Sequence, residues 1–156
     1  RGEGRRGRGR QVGAIRHLFT ARTARPKLEG SMRAITRAAI YLASADGAVQ
    51  ESEIEALVDD VRDVVARSVG IEHVDEYAKV AMLLDEARAA VKALAVEGRP
   101  TFVQGLAKVL EGDFRRDALK VALDVVRADG VVSPAEQASL EELSHALGVE
   151  PSDLVR

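Results

Sequence analysis

Four carboxylates stand at matching positions in two short stretches of this chain. Residues 39–53 read Ala-Ile-Tyr-Leu-Ala-Ser-Ala-Asp-Gly-Ala-Val-Gln-Glu-Ser-Glu, and residues 122–136 read Ala-Leu-Asp-Val-Val-Arg-Ala-Asp-Gly-Val-Val-Ser-Pro-Ala-Glu. Laid over each other they share Ala39/Ala122, Ala45/Ala128, Asp46/Asp129, Gly47/Gly130, Val49/Val132 and Glu53/Glu136. Asp46, Glu53, Asp129 and Glu136 are hard oxygen donors. If a pseudo-twofold arrangement gathers them, they suit a divalent cation, Ca²⁺ or Mg²⁺. Each copy also matches the back half of an EF-hand loop. The front half fails, because its first and third ligand positions fall on Leu42 and Ser44, then on Val125 and Arg127. Neither copy is an EF-hand.

The same residues have a second reading that needs no ligand. Ser133-Pro134-Ala135-Glu136 is a capping box with Pro at the first helical position. Ser133 is expected to accept the Glu136 backbone N–H, and Glu136 to reach back to that of Ser133. Gln50-Glu51-Ser52-Glu53 keeps the Glu but has a poorer N-cap. Gly47 and Gly130 allow a positive-φ turn between helices, and Val49 and Val132 are expected to plug the core. Cation site and paired helix joint both remain open at this point.

Other chemistry finds little support. His17, His73 and His145 are far apart and form no metal-spaced pair. With no cysteine there is no thiol nucleophile, thiolate metal site or disulfide framework. No serine sits in a nucleophile-elbow context, and no glycine-rich phosphate loop follows a strand. The chain is therefore not expected to be an enzyme.

These elements need helices to position them. From Met32 onward no segment alternates with period two. Ile35, Ala38, Ala39 and Leu42 predict a first helix ending before Asp46-Gly47. Ile54, Leu57, Val58, Val61, Val64 and Val65 predict a second, closed by Gly70. A long third is expected over about 74–97, with Val80, Leu83, Leu84, Ala87, Val91 and Leu94 on its apolar face. Thr101 is read as the cap of a shorter helix reaching Leu110. The fifth carries Phe114, Leu119, Val121, Ala122, Val125 and Val126. The sixth runs from Pro134 to Leu147, burying Leu140, Leu143 and Leu147, and Pro151-Ser152-Asp153 opens a last turn. The expected fold is all-α: a compact bundle of six to seven helices with a duplicated helical hairpin.

Charge divides the chain. Residues 1–28 hold nine Arg or Lys and one acid, a net of +8, which leaves 14 basic and 24 acidic residues in 29–156, a net of −10. Residues 1–31 read as a basic, low-complexity arm, either disordered, non-native, or folded against the acidic body. Nucleic-acid binding by this arm is the weakest reading, since Phe19 is its one aromatic for stacking. No run of about 18 apolar residues is present, so no transmembrane segment is expected.

At the paired Ala-Asp-Gly elements with their trailing Glu, the chain over 32–156 resembles the TerB family of tellurite-resistance proteins. The tail Leu-Gly-Val-Glu-Pro-Ser-Asp-Leu (147–154) is in keeping. A related domain precedes the J-domain of a membrane-anchored bacterial co-chaperone. The resemblance implies an all-helical duplicated bundle with an acidic surface. It implies metal binding at Asp46, Glu53, Asp129 and Glu136. It also implies a bacterial response to tellurite and other chemical stress, exercised through membrane-associated complexes with protein partners rather than by catalysis. The chain is then expected in the cytoplasm, at most peripheral to the inner membrane. The Arg-rich front lies outside the resemblance.

Overall fold

A computed structural model describes residues 25–110, 112, 114–127, 132–150 and 152. Seven α-helices are seen among the described residues, with no strand. They are α1 (Arg25–Ala43), α2 (Glu51–Val69), α3 (Val74–Tyr77), α4 (Val80–Glu97), α5 (Arg99–Val109), α6 (Phe114–Val126) and α7 (Pro134–Leu147). Short 3₁₀ turns, Ser44–Asp46 and Ile71–His73, follow α1 and α2.

The bundle is organised around α1. Met32, Ala34, Ile35, Thr36, Ala38, Ala39, Ile40, Tyr41 and Leu42 are all buried. A helix apolar on nearly every side belongs inside, and α1 packs most extensively on α6 and α4. Its alanines let neighbouring helices approach closely, while Ile35, Ile40 and Leu42 contribute about 1.5–3 kcal/mol each by burial. The Thr36 hydroxyl is satisfied within the helix, donating to the Met32 carbonyl at 2.9 Å. Arg33 and Arg37 face Glu86 of α4, at 3.7 and 4.0 Å.

Glycines end helices where expected. Gly70, Gly98 and Gly148 all take positive φ after α2, α4 and α7. All six apolar residues expected on α2 are buried, as are Leu140, Leu143 and Leu147 on α7.

Three expectations differ. α1 begins at Arg25, ahead of Met32, so residues 25–31 continue this helix; residues 1–24 lie outside the described residues. The long third helix is split, because Ala78 leaves helical geometry (φ −137°, ψ 62°) and Lys79 is extended. Arg62 of α2 donates to the Ala78 carbonyl at 3.0 Å, giving that oxygen a partner outside a helix. Val80 is 40 % exposed as a consequence of starting the new helix. Finally, α5 starts directly after Gly98, with Pro100 in its first turn, so Thr101 lies inside the helix rather than capping it. The expected turn at 151–153 lies outside the described residues apart from Ser152.

One buried group stands out on α7. Ser144 is fully buried, and its Oγ has no hydrogen-bond partner. Its carbonyl receives the Val149 N–H at 2.8 Å, a bond that survives side-chain truncation. Ser144→Ala is expected to raise stability by about 1 kcal/mol, through lost desolvation cost and better helix propensity. A lower denaturant midpoint in the variant would mean that the hydroxyl is satisfied.

Candidate functional site

The two Asp-Gly elements follow the helices α1 and α6 and lead into α2 and α7. In the first, the Ser44–Asp46 turn delivers Asp46 to the surface, and Gly47 follows at φ +137°. A Cβ there would meet nothing within 4 Å, so the requirement for glycine is one of backbone conformation alone. Val49 is buried beneath the turn. Glu53 Oε1 then accepts the Gln50 backbone N–H at 3.0 Å. The neighbouring acid, Glu51, is held by Arg88 of α4, whose Nε donates at 2.8 Å.

The second element is the better capped. The Glu136 N–H donates to Ser133 Oγ at 3.1 Å, and the Ser133 N–H donates to Glu136 Oε1 at 2.9 Å. The reciprocal box read from the sequence is present in full. Val132 is partly buried against the core. Asp129 and Gly130 lie outside the described residues.

The elements meet through Ser133. Its hydroxyl donates to Asp46 Oδ2 at 3.0 Å, across 87 residues of chain. Ser133 thus touches the carboxylate of one element and caps the helix of the other. Asp46 and Glu53 are exposed and Glu136 is half-buried. The donor types suit a hard cation. Both glutamates engage one oxygen in capping, and a carboxylate has further lone pairs to offer. Among the described residues no three Asp, Glu or His side chains lie close enough to hold a metal ion. Asp46, Glu53 and Glu136 are therefore not gathered into one ligand set.

Behind the junction lies a residue that the sequence did not suggest. Arg99, at the start of α5, reaches both elements. Its Nη1 donates to Ser44 Oγ at 2.7 Å, and its Nη2 donates to Ser139 Oγ of α7 at 2.5 Å and to the Tyr41 carbonyl at 3.3 Å. The guanidinium lies 4.0 Å over the Tyr41 ring. Tyr41 stacks on Phe102 at 6.0 Å between centroids, and the Arg37 guanidinium lies over the Phe102 ring at 4.9 Å. An arginine opening a helix runs against the macrodipole; in hindsight that was the available signal.

The Tyr41 hydroxyl donates to Glu142 Oε2 at 2.8 Å. Burial and this carboxylate push the phenol from 10 up to about 12. A raised phenol keeps its full stabilisation below pH 10. That contribution falls as pH rises from about 10 to about 12, because the unfolded chain ionises first. Unfolding followed across this window should show a loss of stability in the wild type that Tyr41→Phe lacks. Equal pH dependence in both chains would contradict the Tyr41–Glu142 bond.

A cleft of about 540 Å³ separates α2 from α6, lined by Asp60, Asp63, Arg67, Asp124 and Arg127 among others. Its lining carries three acids against two bases, and Arg67 stands 3.8 Å from Asp124. No helix among the described residues is long and apolar enough to cross a membrane.

Comparison with known proteins finds one family. No curated protein and no solved structure matches the chain. Residues 32–156 match the family described as tellurite resistance protein TerB. That span covers most of the chain and contains both Asp-Gly elements with all four carboxylates, and the chain belongs to the TerB family.

Proposed function

We propose that this chain is a non-enzymatic, tellurite-resistance-type stress-response domain that binds one divalent cation at the junction of its two Asp-Gly elements. Asp46, Glu53, Asp129 and Glu136 are its candidate ligands, brought together only as the cation binds, and Ca²⁺ or Mg²⁺ is its cation. The observation that carries this reading is the Ser133–Asp46 bond, which ties the first element's carboxylate to the second element's cap. Gathered carboxylates repel one another, and a bound cation offsets that repulsion while drawing the elements together. The cation-tightened face then docks on a protein partner at or near the inner membrane. Direct titration of Ca²⁺ and Mg²⁺ into the chain tests the binding step. One cation per chain is expected, with binding lost in Asp46→Asn. Asn retains an oxygen for Ser133 while removing the charge, so the variant separates ligation from the structural bond.

A second reading is supported by the capping bonds of Glu53 and Glu136. In it the motif acids are helix joints only, and the domain is an interaction module whose acidic surface receives a basic partner. A chain that binds neither cation, yet melts lower on Asp46→Asn, would favour this second reading.

A further inference from the structure

We infer that residues 74–82 form a two-state joint latched by Arg62. With the latch engaged, α3 and α4 are two helices; with it released, they fuse into one. The segment's own residues favour the fused state. Ala78 and Lys79 are good helix formers, and no Gly or Pro lies between Val74 and Glu97. Sharp helix breaks sit at Pro, at Gly/Ser pairs, at π-bulges or where an outside group enters the i→i−4 ladder. Here it is an outside group. The Arg62 Nε donates to the Ala78 carbonyl at 3.0 Å, and its Nη2 pairs with Asp75 of α3. In an unbroken helix that carbonyl would accept the Met82 N–H. α4 opens instead with the Leu83 N–H on the Lys79 carbonyl at 3.0 Å, and Lys79 makes no side-chain cap bond.

Helical phase explains what the break gains. At about 100° per residue, Val74 and Leu83 would point about 180° apart on one helix. Yet Val74 and Ala78 are buried, and so are Leu83, Ala87 and Ala90. The break turns α3 so that both sets face the core, with α3 packed on α1 and α2. A fused helix keeps only the α4 set, extended by Tyr77 and Val80 in line with Leu84 and Val91. It uncovers Val74, Ala78 and the strips of α1 and α2 beneath them. Residues 70–73 tether the moving end and span at most about 14 Å when extended, so the swing is short. The balance is close because α3 has only four residues, too few to hold a helix without its packing.

Amide hydrogen exchange and Cα chemical shifts, read by NMR on the full chain, test the joint in Arg62→Ala, Lys79→Pro and the double variant. In the latched state the Val80, Ala81 and Met82 amides belong to the first turn of α4, where a helix supplies no i→i−4 partner. Arg62→Ala is expected to slow their exchange about tenfold and to move the Ala78 and Lys79 Cα shifts to helical values. Lys79→Pro is expected to leave the latched state intact and to erase both effects in the double variant. Proline has no N–H for the ladder, and Lys79 already has φ −60°. A merely structural role for Arg62 gives the opposite sign, because losing its bonds frays the joint and speeds exchange at these amides. Faster or unchanged exchange in Arg62→Ala would overturn the joint. If that variant does not fold, Asp75→Asn removes one arm of the latch at an exposed residue. Slower exchange at the three amides then supports the joint, and any other result overturns it.

Discussion

Phe102→Ala should lower the unfolding free energy by about 3–5 kcal/mol, the range for truncating a buried aromatic residue. Phe102 is only 1 % exposed and stacks on Tyr41, with the Arg37 guanidinium also over its ring. Truncation leaves a cavity between α1 and α5 and removes a ring from the stack Arg99–Tyr41–Phe102–Arg37. Aromatic pairs add about 0.5–1.5 kcal/mol beyond burial, so the loss belongs in the upper half of that range. Denaturant unfolding gives the number directly. A loss near 1 kcal/mol would mean that Tyr41 and Arg99 are positioned without this ring, and the link from core to junction would have to be abandoned.

Ser133→Ala should be the most costly substitution on the surface of the junction, at about 1–3 kcal/mol. An N-cap serine contributes roughly 0.5–2 kcal/mol, and the bond to the Asp46 carboxylate adds to it, discounted because this contact is exposed. The Glu136 side of the box stays, since it binds a backbone N–H that alanine also has. Ser133→Thr retains a capping hydroxyl and should recover most of the loss. Equal stability of the alanine and serine chains would mean that neither the cap nor the inter-element bond matters.

The local architecture was legible from residue types. α7 runs from Pro134 to Leu147 as its capping box and Gly148 foretell, because every signal involved acts within a few residues. The ends of α2 and α4 were equally clear, since Gly70 and Gly98 alone readily adopt positive φ. What escaped depends on distant contacts. No glycine or proline marks the break at Ala78-Lys79; Arg62, sixteen residues earlier, serves the freed carbonyl. At the candidate site, the four carboxylates were found by repetition alone. The capping bonds of Glu53 and Glu136 followed from spacing. The Ser133–Asp46 bond and the grip of Arg99 did not, because they join segments 87, 55 and 40 residues apart.

The cation site is the central claim, and thermal unfolding tests it most directly. The full chain is melted with chelator, then with Ca²⁺, Mg²⁺ or Zn²⁺, beside an Asp46→Asn/Asp129→Asn double variant. At about one hundred times Kd, a ligand that binds only the folded state adds about 2.7 kcal/mol. For a chain of this length, that is a rise of roughly 5–10 °C. The account predicts this rise with Ca²⁺ or Mg²⁺ and its absence in the double variant. A melting temperature that no cation moves, with a variant that simply melts lower, would contradict the account and leave the two Asp-Gly elements as helix joints.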